Sequence, residues 1–223
     1  MLKVYLDQPT YRLVSSVYPP KTLFDHLLDP EELEYAYALE GMTNDRLRVE
    51  VGDIALVRPE DRLVGDGTTP IMAAFTHCGT DSRFCLGTFG IYYAGLSLQT
   101  AIEESRHSRA RFLSATNEEP QIVTMRSYIC TVRAEMVDLR QNAKVHDPDD
   151  WEYAQIKGAQ MIQKGEMGAI YKSVRHPGGE CIAAFRPTAL VPPAVQSKHY
   201  QYHWDGKKIS HVVAFEDVDI ATA

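Results

Sequence analysis

One stretch of the chain has apolar residues at helical spacing behind a good helix cap. Ser97 is a residue type favoured at the N-cap, and the apolar residues after it recur at intervals of three and four. We therefore predict a helix from Ser97 to about Phe112. Its buried side consists of Leu98, Ala101, Ile102 and Ser105.

Two Asp-Pro pairs give a second helix signal, with aspartate as the N-cap and proline in the first turn. Asp29-Pro30 predicts a helix to about Leu39, and Asp147-Pro148 predicts one to about Gln163. The second helix is expected to turn Ala154, Met161 and Ile162 inward and to end at Gly165 and Gly168.

Shorter runs rich in β-branched and aromatic residues predict strands. They cover residues 11–14, 53–57, 71–75, 90–94, 122–134, 169–174, 181–185, 200–204 and 207–215. Asp205-Gly206 predicts a hairpin at residues 200–215, and Pro177-Gly178-Gly179 predicts another turn. Strands outnumber helices and hairpins dominate, so we predict an α+β fold with a mostly antiparallel sheet. The GxGxxG dinucleotide fingerprint is absent.

The bulk composition narrows the functional classes. The chain has 223 residues and a net charge of −7, which argues against direct nucleic-acid binding. An anionic substrate would need a local cluster of arginines. No run approaches ~20 apolar residues and the N-terminus lacks a signal-peptide pattern, so we expect no membrane association and a cytoplasmic location.

Candidate metal ligands are sparse. The four cysteines have no zinc-site spacing, and we expect them to be reduced thiols: Cys78, Cys85, Cys130 and Cys181. His77 precedes Cys78 without a fourth ligand, and His199 and His203 lack an HExxH context. The glycine-rich stretch at residues 65–69 has no P-loop lysine. We predict no metal and no true cofactor.

Two arginines near predicted strands are candidates for phosphate binding. Arg83 precedes an aromatic residue and a glycine-punctuated loop, and Arg12 lies in the first strand. A guanidinium offers forked donors that match phosphate oxygens, and two of them suit a pyrophosphate. The alternative for each is an ordinary surface arginine in a salt bridge.

Tyr92 and Tyr93 are adjacent in a predicted strand, so their side chains point to opposite faces. One ring can face a cleft and stack on a flat heteroaromatic group, while the other packs in the core. Taken alone, the pair would be assigned to core packing.

A carboxylate and a hydroxyl complete the candidate set. Glu104 follows Ala101 by three residues, so it lies near the buried side of its helix, where it can stabilise a developing oxocarbenium ion. The alternative is a solvated glutamate. Ser173 lies on a predicted strand, where its hydroxyl can hold a substrate, and it lacks the GxSxG context of a nucleophile.

These residues and their contexts resemble the RES-domain proteins, named for an arginine, a glutamate and a serine. The matching stretches are TYRL at Arg12, SRFCLGTFGIYYAG from Ser82, TAIEESRHSRARF from Thr100, residues 153–155, and GAIYKSVRHPGGECIAAFRP from Gly168. They span residues 11–187 of what we predict to be a single domain, residues 1–223.

The resemblance implies an ADP-ribosyltransferase-like fold: two packed antiparallel sheets, flanking helices and a central cleft for NAD. It implies a toxin of a toxin–antitoxin system that cleaves the nicotinamide–ribose bond and passes ADP-ribose to phosphate or water. Arg83, Glu104 and Ser173 would be catalytic, and Arg12, Arg83, Tyr93, Glu104 and Ser173 would bind NAD. A cognate antitoxin, often with a helix-turn-helix domain, would block the cleft.

Two departures from the family pattern leave alternatives open. Ser82-Arg83-Phe84-Cys85 stands where the family often has Gly-Arg-Trp-Asn, and residues 18–80 form a longer N-terminal segment. One alternative is a mono-ADP-ribosyltransferase that uses a protein acceptor at the same site. Another is a non-catalytic nucleotide-binding or interaction module. A homo-oligomer also stays open.

Overall fold

The computed structural model describes residues 1–16 and 52–216. The helix predicted after Asp29-Pro30 lies outside them. The described helices are α1 (Thr69–Thr76), α2 (Leu98–Ala115) and α3 (Glu152–Gln163). The strands are β1 (Lys3–Ser15), β2 (Asp81–Ser82), β3 (Cys85–Leu86), β4 (Tyr92–Gly95), β5 (Gln121–Asp138), β6 (Gly168–Lys172), β7 (Glu180–Ala184), β8 (Leu190–Trp204) and β9 (Ile209–Ala214). Within the described ranges, no helix is long and apolar enough to cross a membrane.

Five of the strands pair in a closed ring. β1 pairs antiparallel with β5 from Lys3↔Val137 to Ser15↔Met125, and its other edge meets β4 at Tyr11↔Gly95. β4 pairs with β7, β7 with β6, and β6 runs parallel to the end of β5. The long β5 also carries the β8–β9 hairpin. The two layers implied by the resemblance therefore belong to one continuous sheet that closes on itself.

Three buried clusters hold the helices against this sheet. The first contains residues from all five ring strands together with α1, so it fills the interior of the ring. The second packs α3 and Phe84 on the outside of β6 and β7. The third packs α2 against β1, β5 and the β8–β9 hairpin. Each fully buried large apolar side chain contributes about 1.5–3 kcal/mol, so these contacts fix where α2 and α3 lie.

The α+β class and the mostly antiparallel sheet are confirmed, and both predicted hairpin turns are present. The helix after Ser97 is also confirmed. The Ser97 hydroxyl accepts from the Thr100 backbone N–H at 3.1 Å, and the buried side contains Ala101 and the half-buried Leu98 and Ile102.

Three local predictions are wrong. Residues 71–75 lie inside α1 because Pro70 occupies its first turn and favours helix over strand. Residues 53–57 form a 3-10 turn, Ile54–Leu56, that the Asp53 carboxylate caps through the Ala55 N–H. Asp147-Pro148 opens a turn, since Asp147 accepts from the N–H groups of residues 149 and 150, so the predicted start of the helix is wrong and α3 begins only at Glu152. Its predicted end at Gln163 and the burial of Ala154 and Met161 are confirmed.

Candidate active site

A carboxylate and a hydroxyl from distant parts of the chain meet at the side of α2. The Ser173 hydroxyl donates to Glu104 Oε1 at 2.5 Å. Ser173 Oγ in turn accepts from the backbone N–H groups of Arg175 at 3.1 Å and His176 at 2.9 Å. The single hydroxyl proton is therefore directed at the carboxylate. The predicted convergence of Glu104 and Ser173 is present.

The turn between β6 and β7 brings Ser173 to this position. Ser173 donates its backbone N–H to the Gly179 carbonyl at 2.8 Å, and Gly178 has a φ of +80°. His176 Nδ1 lies 2.9 Å from Thr100 Oγ1 in the first turn of α2. A Cβ at Gly179 would lie 2.6 Å from the same Thr100 oxygen, so only glycine lets the turn approach the helix this closely.

Arg83 is buried, and one of its terminal nitrogens is already engaged. Nη1 donates to the carbonyls of Val145 and Asp147, both at 2.8 Å, and the guanidinium lies 5.8 Å from the Trp151 ring centre. A Cβ at Gly158 would overlap the Phe84 carbonyl, so this glycine allows α3 to pack against the stretch that carries Arg83. Arg83 thus tethers the 145–147 loop as well as lining the cleft described below.

Arg12 is a half-buried cation with little local compensation. Its Nη1 donates to the Tyr93 carbonyl at 3.0 Å, and the guanidinium lies 4.9 Å from the centre of the Tyr92 ring. Its Nε is buried and has no hydrogen-bond partner among the residues described. Burial lowers the pKa of Arg12, because the charged form loses hydration. An anion brought to this point would supply the missing compensation.

The two adjacent tyrosines point to opposite faces of the strand, as predicted. Tyr92 is fully buried in the ring interior, while Tyr93 lies on the other face and lines the cleft. The Tyr93 hydroxyl donates to Ser82 Oγ at 2.9 Å and accepts from the Phe84 backbone N–H at 3.1 Å. Burial raises the pKa of Tyr93 to about 12. Its hydroxyl therefore braces the residues on either side of Arg83.

A cleft of about 640 Å³ joins these side chains. Arg12, Arg83, Tyr93 and Glu104 all line it. Ser173 is not among its lining residues and lies behind Glu104. Four of the five predicted site residues are therefore at the cleft surface. The fifth, Ser173, holds Glu104 through a hydrogen bond.

Sequence reasoning missed several residues of this cleft: His107, Arg109, Arg111, Trp151 and Arg175. His107 and Arg111 follow Glu104 by three and seven residues, so the helical repeat of α2 was a usable signal for both. Arg175 lies two residues after Ser173 in the chain and donates to the Pro148 carbonyl at 2.7 Å. No local pattern pointed to Trp151, which reaches the cleft through the 147–151 turn.

The cleft is cationic although the protein is acidic. Arg12, Arg83, Arg111 and Arg175 line it, and within residues 1–16 and 52–216 none of them has a carboxylate oxygen within 4.0 Å. Ion pairs elsewhere do form, as between Arg186 and the buried Asp61 at 2.7 Å. The local arginine cluster that an anionic substrate requires is thus present.

Comparison with known proteins identifies a protein family that matches this chain. The model of the RES domain matches residues 59–205. A protein of Sinorhizobium fredii, the uncharacterized protein y4oC, is 29% identical over 227 residues, covering 97% of this chain and 92% of that protein. The toxin–antitoxin complex MbcT–MbcA of M. tuberculosis contains a chain of similar structure, with a TM-score of 0.44 and 13% identity over 88% of this chain and 85% of that chain.

Proposed function

Because this chain belongs to the RES domain family, we propose that it cleaves the bond between nicotinamide and ribose in NAD. The ADP-ribosyl group then passes to phosphate or water. In this proposal the chain acts as a toxin in the cytoplasm, and a cognate antitoxin covers the cleft; both points rest on the family resemblance. NAD is a substrate here and not a resident cofactor.

The observation that carries the proposal is a carboxylate fixed at the wall of a cleft in which arginines outnumber the two carboxylates, Glu104 and Asp81. Glu104 is held by Ser173 at 2.5 Å, and four lining arginines lack a carboxylate partner among the residues described. A dinucleotide brings a pyrophosphate for the guanidinium groups and a ribose that becomes positive during bond cleavage. The cleft offers charge of the opposite sign to each part.

Glu104 is the group that we place against the reacting sugar. Oε1 accepts the Ser173 hydrogen bond, while Oε2 accepts none from a described residue and is the oxygen available to the ribose. As the glycosidic bond lengthens, its electron pair leaves with nicotinamide, which departs neutral and needs no general acid. The positive charge left on the ribose is stabilised by the carboxylate, and a phosphate or water oxygen then bonds to C1″. When water is the acceptor, its proton is released to the solvent.

Arg12 and Arg83 are proposed to bind the pyrophosphate, and Tyr93 to pack near the nicotinamide. The single buried, uncompensated Nε of Arg12 supports its part. Arg83 keeps its two carbonyl acceptors, so it contributes mainly through its charge and its remaining donors. Ser173 acts through Glu104 as a positioning residue and does not itself contact the sugar.

The test is nicotinamide release from NAD, measured with and without inorganic phosphate. We expect release in both, ADP-ribose as the product without phosphate, and its 1″-phosphate when phosphate is present. A discrete ADP-ribosylated protein in an extract supplied with NAD would assign the acceptor to a protein instead. Tight NAD binding without nicotinamide release would support the alternative of a non-catalytic binding module.

The decisive variant is Glu104→Gln, which keeps the shape of the side chain and removes its charge. We expect nicotinamide release to fall about 10²–10³-fold while the unfolding midpoint changes little. Glu103→Gln is the matched control, because Glu103 is the preceding residue of α2 and pairs with Arg106 at 2.7 Å. Unchanged NAD cleavage by the Glu104 variant would reject the assignment.

A further inference from the structure

One face of α2 continues past Glu104 with two more cleft residues. Glu104, His107 and Arg111 are spaced three and four residues apart, and all three line the cleft. The seven residues from Glu104 to Arg111 correspond to about 10 Å along the helix axis. Arg111 therefore serves a part of the cleft that lies beyond the reach of the Glu104 carboxylate.

Two further side chains, those of Trp151 and Arg175, line this part of the cleft. The Arg111 guanidinium lies 4.4 Å from the centre of the Trp151 ring. Arg175 reaches the same wall, since its Nη2 donates to the Pro148 carbonyl at 2.7 Å, three residues before Trp151. Burial, then the charges of Arg175 and Arg111, lower the pKa of His107, whereas Glu104 raises it. Both guanidinium groups and the imidazole line the same cleft.

Arg111 is exposed and Arg175 half-buried. Their clustering still needs an explanation, because like charges repel one another. Neither Arg111 nor Arg175 has a carboxylate partner among the described residues, although the chain holds 30 acidic side chains against 23 basic ones. Trp151 adds a buried indole N–H with no partner in the described part of the chain. A phosphoryl group has several acceptor oxygens and at least one negative charge, which suits this donor set.

We propose that His107, Arg111, Trp151 and Arg175 form a second phosphoryl-binding subsite in the cleft, in addition to the one at Arg12 and Arg83. Only the source of its phosphate rests on the proposed function. The occupant is either a phosphate of the dinucleotide itself or a free phosphate beside it. In both cases the recognised chemistry is the same tetrahedral oxyanion.

Trp151 provides a direct reporter of occupancy. The chain has two tryptophans, and the other, Trp204, is buried with its Nε1 donating to the Glu118 carbonyl at 2.9 Å. In a Trp204→Phe variant, emission therefore comes from Trp151 alone. We expect titration with inorganic phosphate to change this emission, and calorimetry on the unaltered chain to show binding even if that variant folds poorly.

Single substitutions then locate the site. Arg111→Gln and Arg175→Gln should each weaken phosphate binding about tenfold or more, the usual loss for a hydrogen bond to a charged group. Arg106→Gln is the matched control on the same helix, where the arginine is largely exposed and paired with Glu103. Absence of phosphate binding in both measurements, or an equal loss in the Arg106 variant, would overturn the subsite.

Addition of ADP-ribose separates the two sources. Competition between ADP-ribose and phosphate assigns the subsite to the dinucleotide's own phosphate, and simultaneous binding assigns it to a free phosphate. Nicotinamide release is measured on the same preparations. Cleavage without phosphate binding would reject the subsite but support the proposed function. Phosphate binding without cleavage would support the subsite but reject the proposed function.

Discussion

The hydrogen bond from Ser173 to Glu104 gives a quantitative prediction for Ser173→Ala. The substitution removes a 2.5 Å bond to a charged acceptor, which contributes about 1.5–3 kcal/mol. If that bond mainly keeps Glu104 in its reactive position, kcat falls about 10- to 100-fold. KM changes little, because Ser173 lies behind the carboxylate and not at the cleft surface. Ser173→Thr, which keeps the hydroxyl, should recover much of the rate.

The same substitution has a separate cost in stability. Ser173 Oγ accepts two backbone N–H groups, from Arg175 and His176, and each loses that acceptor in the alanine variant. At about 1 kcal/mol for each bond and about 2–4 °C for each kcal/mol, the unfolding midpoint should fall by a few degrees. The rate assay must therefore be run well below the lowered midpoint.

A double-variant cycle decides between positioning and direct substrate contact. In a Glu104→Gln background the carboxylate that Ser173 holds is gone, so adding Ser173→Ala should reduce the rate little further. Steady-state nicotinamide release gives the four values of kcat and KM. If the alanine substitution lowers kcat by the same factor in both backgrounds, Ser173 acts on the substrate independently and the positioning role is wrong.

Two further predictions concern stability. Arg12→Met removes a half-buried cation whose buried Nε has no partner, and which has no carboxylate partner, in the described residues. The ligand-free midpoint should therefore rise, by about 2–4 °C for each kcal/mol, while ADP-ribose binding is lost. A lower midpoint measured by thermal unfolding would contradict this. His146 donates from Nδ1 to the Asn142 carbonyl and accepts from the Lys172 N–H at Nε2, both at 2.9 Å, so it is held neutral, and burial first of all lowers its pKa. With the folded pKa below the ordinary value of about 6.5, stability is fully present above that pH and is lost as the pH falls towards the folded pKa. The drop in the unfolding midpoint between pH 8 and pH 5 should be smaller in His146→Gln than in the unaltered chain. An unchanged drop would show that His146 does not contribute to the pH dependence of stability.

Local signals predicted the elements that have strong caps or turns. Ser97 caps α2 through its own side chain, and Asp205 accepts from the N–H groups of Lys207 and Lys208 in the predicted hairpin. Where the signal was short, it failed. Residues 71–75 are an apolar run that fits a strand or a buried helix equally well, and only Pro70 favoured the helix.

The ring of strands could not be read from the sequence because it depends on pairings far apart in the chain. β1 meets β5 more than a hundred residues later, as in the Tyr11↔Ile129 pair, and contacts β4 at a single position. No periodicity within β1 specifies either partner. The same reason limits what the sequence predicts about the site. The sequence predicted that Glu104 and Ser173 would converge. That Glu104 lines the cleft and Ser173 lies behind it depends on the turn that the ring places against α2.

Charge pattern alone also hid the extent of the site. Arg109 and Arg111 stand in SRHSRARF beside Glu103 and Glu104, which looks like an ordinary mixed-charge helix surface. Only the fold distinguishes the arginines of this helix: Arg106 pairs with Glu103, while Arg111 lies against Trp151 in the cleft. An arginine that leaves available carboxylates unpaired carries an unfavourable charge in the empty protein, and that cost is recovered only when an anion enters. The cleft arginines are therefore better explained by a ligand than by ion pairing within the protein, although Arg83 also tethers the 145–147 loop through two carbonyl acceptors.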